Sequence, residues 1–116
     1  MLGHDLTNKE VLMTTSQTAW VVRPDPDLAD LIPTFIQNRR NELAELQVAR
    51  KSGDYEFIRR MSHTWKGICR PYGFVHLETL SKSLEDAGER EDASDVETIV
   101  NEMGSYLDNV RIVYDS

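Results

Sequence analysis

His63 is the residue of this chain best suited to nucleophilic chemistry, and the residues at helical spacing around it define what that chemistry would need. Neutral imidazole is nucleophilic near pH 7. On a helix each residue advances roughly 100° around the axis, so Ile58 begins an apolar stripe in which Met61, Trp65, Ile68 and Tyr72 fall within about 60° of one another. His63 falls on the opposite side. Its neighbours three, four and seven residues away are Arg59, Arg60, Lys66, Gly67 and Arg70. A lone imidazole among four cations suits an anionic group, which asks for nearby positive charge and for room. Lys66, three residues on, is best placed to touch such a group. Gly67 costs about 1 kcal/mol against alanine in a helix interior, so its missing side chain is expected to clear space beside the ring.

The elements that must position this helix can be read in chain order. Residues 1–24 show weak periodicity and form an extension or linker, in which Ala19-Trp20-Val21-Val22 could lie extended against the domain. Asp25-Pro26-Asp27 is a turn and cap signal, followed by a short amphipathic piece through Leu28, Leu31 and Ile32. Pro33 either kinks the chain or starts a helix. Phe35, Ile36, Leu43, Leu46 and Ala49 carry that helix to about Lys51, where Gly53 ends it and Asp54 caps the next. The central helix is predicted from about Tyr55 to Tyr72, with Pro71 bending its last turn and Gly73 ending it. Leu77, Leu80, Leu84 and Ala87 space out a third helix that Gly88 terminates. Ser94 and Glu97 make a capping box for the last, whose stripe of Val96, Ile99, Val100, Met103, Leu107 and Val110 runs to about Val113. Four helices on short connections predict an all-α, antiparallel up-down four-helix bundle over residues 25–116, with a short extra N-terminal helix or extension.

The 116 residues allow one domain with a proper core. The net charge of −7 argues against nucleic acid or an anionic membrane as partner, so the cations near His63 form a local patch on an acidic molecule. A single cysteine, Cys69, permits no internal disulfide and is expected as a buried, inert thiol. There is no apolar run of spanning length, no signal-peptide pattern and no nucleotide-binding fingerprint. The expected compartment is the cytoplasm. No pair of histidines, or of carboxylate and histidine, has metal-site spacing. A monomer is the expectation, because one bundle can bury all four stripes.

His63-Thr64-Trp65-Lys66-Gly67, with Tyr72-Gly73-Phe74, Leu77, Leu80 and Leu84-Glu85 downstream, resembles the histidine-containing phosphotransfer (HPt) domain family. The resemblance covers roughly residues 28–113. It implies a phosphorelay intermediate. His63 would accept a phosphoryl group from a receiver-domain aspartate and pass it to another receiver, Lys66 would steady that group, and Gly67 would give access. Partners would be response-regulator receiver domains or a hybrid histidine kinase, docking on the helices that flank the histidine. The chain would carry no cofactor of its own, with Mg²⁺ held by the receiver. Thr64 stands where the phosphoacceptor histidine of a kinase dimerisation domain is typically followed by an acidic residue, which favours a transfer module over a kinase. Two features depart from the family pattern. Ile68, Cys69, Arg70 and Pro71 replace the usual small residues, and Trp65 occupies a frequent leucine position, so altered packing is expected.

A helix-surface histidine is most often only that, and Arg59, Arg60 and Arg70 have an ordinary reading as solvated charges balancing acids such as Glu56. As docking residues they are weaker candidates than Lys66. The alternative from another class is a helical adaptor that binds a signalling partner on the same face without phosphorylation.

Overall fold

The computed structural model describes residues 20–114; the sequence readings on residues 1–19 lie outside them. Asp25 leads into the bundle by accepting a hydrogen bond from the Asp27 N–H at 2.9 Å, and a single 3-10 turn follows over Pro26–Leu28. Helix α1 spans Ile32–Ser52, with Pro33 in its first turn, where no backbone donor is needed. Gly53 closes it in the left-handed region at φ 72°. Helix α2 spans Tyr55–Cys69, and the Asp54 carboxylate caps it by accepting from the Phe57 N–H at 3.1 Å. Helices α3 (Val75–Glu89) and α4 (Ala93–Asn109) complete the set. The fold is the predicted four-helix bundle.

Four boundaries differ from the sequence reading, each for a local reason. The central helix stops as α-helix at Cys69 and continues as a 3-10 turn over Arg70–Tyr72, because Pro71 cannot supply an α-helical donor. Gly73 then reverses the chain at φ 89°. Gly88 does not end the third helix; it lies inside α3. A Cβ there would sit 3.1 Å from Arg59 Cγ and 3.3 Å from Ile58 Cγ2, so its missing side chain lets α3 approach α2 closely. The last helix starts on Asp92, whose carboxylate accepts from the Asp95 N–H at 3.0 Å, and not on the Ser94–Glu97 pair. It ends at Asn109, short of Val113. Val21–Val22 (β1) and Arg111–Ile112 (β2) pair as a parallel two-stranded ladder, with the Trp20 and Val22 carbonyls accepting from Arg111 and Val113 at 2.8 Å each.

The core gathers the inward faces of all four helices: Phe35 and Leu46 from α1, Ile58, Trp65 and Cys69 from α2, Leu77 and Leu84 from α3, Val100, Met103 and Tyr106 from α4. Phe35 stacks on Tyr72 and Phe74 at centroid distances of 4.4 and 4.9 Å, binding the start of α1 to the end of α2. Trp20 packs edge-on against Tyr106 and so is a packing anchor. On α2 the fully buried line is Ile58, Ser62, Trp65 and Cys69, slightly rotated from the predicted stripe; Met61, Ile68 and Tyr72 flank it, half-buried. The Ser62 hydroxyl fits inside because it donates to the Ile58 carbonyl at 2.5 Å.

Candidate functional site

With Ile58, Ser62, Trp65 and Cys69 turned inward, α2 turns His63 outward, and its side chain is 70% exposed. The ring is nevertheless held. His63 Nδ1 lies 2.9 Å from Glu85 Oε2, across the α2–α3 interface. An ionised carboxylate only accepts, so this contact assigns the proton of the neutral ring to Nδ1 and leaves the Nε2 lone pair free. Lys66 Nζ donates to the other oxygen, Glu85 Oε1, at 2.8 Å. One carboxylate thus grips both the imidazole and the ammonium one turn along from it.

The electrostatics follow from that geometry. The Lys66 hydrogen bond, aided by the one from His63, holds the Glu85 carboxyl below its ordinary range against the opposing effect of partial burial. Reciprocally, the Glu85 hydrogen bond raises the Lys66 ammonium above its ordinary value. Glu85 is therefore an anion and Lys66 a cation across the neutral range. Gly67 is exposed on the same outer face, and a Cβ built on it meets nothing within 4 Å. Its small size therefore serves no packing need inside the bundle.

The three arginines fare differently. Arg70 is bound by Glu78, with Nε and Nη2 donating at 2.8–3.1 Å. Arg60 faces Glu56 at 4.0 Å with both side chains well exposed, an arrangement worth little. Arg59 has no ion pair among the described residues, and its aliphatic stem runs beside Gly88. The ring of four cations read from the helix is thus one ammonium tied to Glu85, two arginines with carboxylate partners, and one without.

Cys69 is fully buried, and desolvation pushes its thiol up to about 12, which makes it unreactive. His76 stands apart from the site, near the start of α3, with its ring 5.3 Å from Tyr106. Among the described residues no group of histidine, cysteine and carboxylate side chains could hold a metal ion, and no helix is long and apolar enough to cross a membrane.

Glu85 was visible in the sequence only as part of the downstream motif, with no role attached. A second network was not visible at all. Arg39, on α1, is 7% exposed, and its Nε donates to Glu42 Oε1 at 2.8 Å; the same oxygen accepts from Trp65 Nε1 at 2.8 Å. Trp65 is accommodated by this polar tie to α1.

No curated protein and no solved structure matches the chain significantly. The model of the Hpt domain family does match, over residues 30–111, a stretch that contains His63, Lys66, Gly67 and Glu85 and all four helices complete. That match spans well over half of the 116 residues, and this chain belongs to the Hpt domain family.

Proposed function

We propose that this protein is a phosphorelay intermediate in which His63 is the phosphoacceptor, taking a phosphoryl group from the aspartate of a receiver domain and returning it to another. The observation that carries the reading is the Glu85 contact to His63 Nδ1, which leaves Nε2 as the nucleophile on an open surface. In the forward step the Nε2 lone pair attacks phosphorus. The Nε2–P bond forms as the bond from phosphorus to the aspartyl oxygen breaks, and the receiver's carboxylate leaves with the electron pair. The ring becomes a phosphoimidazolium with its proton still on Nδ1, and the Glu85 carboxylate faces that new positive charge. Lys66 is one turn away and can turn from Glu85 to the phosphoryl oxygens.

The bare surface at Gly67 gives the receiver room to bring its aspartate in line. Arg59 is the arginine most available to an acidic partner, and Arg60 and Arg70 contribute to the local field. The chain needs no cofactor of its own in this reading; the Mg²⁺ that neutralises charge on the transferred group belongs to the receiver. A hybrid histidine kinase is one source of such a receiver.

The test incubates the purified chain with several phosphorylated receiver domains, beside a His63→Gln control. Acid-labile, alkali-stable label on the chain, lost in the control, is expected. A receiver that binds but transfers no label would replace this reading with the phosphorylation-independent adaptor.

A further inference from the structure

Arg39 is an unusual residue to find in a bundle core. Its guanidinium carbon lies 4.8 Å from the Phe35 ring centroid and 5.7 Å from that of Trp65, and the residue is 7% exposed. Two aromatic faces and one carboxylate offset part of the cost of burying that charge. Only Nε is used, however. Among the described residues neither terminal nitrogen has a protein acceptor, and neither is fully buried, so this end of the guanidinium meets solvent.

Those nitrogens belong to a side chain that lines a cleft of about 220 Å³ between α1 and α2. Phe35, Tyr72 and Ile68 give the cleft apolar walls; Thr34 and Asn38 are its exposed polar edge. The first turn of α1 borders it through Leu31 and Thr34 and has no side-chain cap, so the positive end of that helix adds to the field. Leu31, at the rim, is left 50% exposed.

A planar donor pair on a side chain that lines an apolar-walled cleft matches one chemistry above others: a carboxylate, which guanidinium binds through two parallel hydrogen bonds. We infer that the cleft between α1 and α2 is a carboxylate-binding site with the terminal nitrogens of Arg39 as its donors, taking either a small organic acid or an acidic side chain of a docked protein. The site is distinct from His63 and does not depend on phosphotransfer there. It communicates with α2 through Glu42 Oε1, which Arg39 and Trp65 share.

That shared oxygen supplies the readout. The chain has two tryptophans, so its indole N–H resonances form a two-signal spectrum. The full-length protein is titrated with acetate and with succinate, against sodium chloride at equal ionic strength. A saturable shift of the Trp65 indole and of the Arg39 Nε–H is expected, with Trp20 unmoved. Arg39→Gln should remove the response. Because that variant alters the core, Asn38→Asp provides the second check: it changes only charge at an exposed edge and should weaken binding at least about threefold by like-charge repulsion. No shift with either acid, an equal shift with chloride, or an unchanged response in Asn38→Asp would overturn the inference. A receiver domain that binds the chain then separates the sources. Displacement of succinate by the receiver identifies a protein side chain, and simultaneous binding identifies a free acid.

Discussion

Glu85 does two jobs with one carboxylate, and substitution can separate them. Gln in its place can still accept from His63 Nδ1 but cannot neutralise Lys66. The folded-state carboxyl lies below its ordinary value of 4.5, so its contribution to stability is present above that pH and is lost as pH falls through the lowered value. Lys66, raised above 10.5, contributes below that pH and loses its contribution as pH rises through the raised value. Urea unfolding of Glu85→Gln is therefore expected to show a flatter loss of stability than the parent between about pH 5 and pH 3, while phosphotransfer at neutral pH is slowed but retained. An unchanged acid limb would mean that Glu85 is not held by Lys66 in solution. Gly67 makes an opposite kind of prediction. Since a Cβ meets nothing within 4 Å, Gly67→Ala should raise stability by about 0.8–1 kcal/mol from helix propensity alone. Gly67→Leu should fold equally well and yet slow transfer from a receiver by about tenfold or more, because displacing the reacting groups is costly. Calorimetry and transfer kinetics on the same two variants check the pair.

At the scale of elements, the contact between α2 and α3 decides whether His63 meets Glu85 at all. Gly88 permits it. Gly88→Ala would put a methyl 3.3 Å from Ile58 Cγ2, which is fully buried and cannot give way. The variant is expected to be destabilised by roughly 1 kcal/mol despite alanine's better propensity, with a weakened His63–Glu85 contact visible in the histidine ring resonances. The sequence hides this role, because glycine serves both helix ends and close approaches, and Gly88 stood where a helix end was due. The four helices themselves were legible, and so was the relation of His63, Lys66 and Gly67, because three- and four-residue spacing fixes a shared face whatever the helix packs against. Glu85 is 22 residues from His63, and only the antiparallel packing of two helices joins them. The same holds for Trp65, which packing brings to Glu42 on α1, 23 residues away, whereas Arg39 and Glu42 already share a helix face. The start of α4 was missed by two residues because Asp92 and Ser94 are both competent caps. Its end was missed because Val110, Ile112 and Val113 continue a helical period, whereas their β-branched side chains suit the ladder with Val21 and Val22 that replaces it.

For the whole molecule, that ladder ties together residues almost the full length of the described chain apart, and its direction matters. The strands are parallel, with Val21 beside Arg111 and Val22 beside Ile112. The chain therefore enters at one end of the ladder and departs from the other. Tension applied between residues 20 and 114 runs along both strands in opposite senses, so the bonds at Trp20 and Val22 share the load in shear and do not peel open one after the other. Under force this domain should yield first at a small, distinct rupture of the ladder and only then lose its helices. Arg111→Pro, which deletes the donor to the Trp20 carbonyl, should abolish that first event in single-molecule pulling and leave the second intact. A phosphorelay module carried between tethered neighbours would thus keep His63 facing Glu85 under light mechanical load, with two short strands as the part that gives.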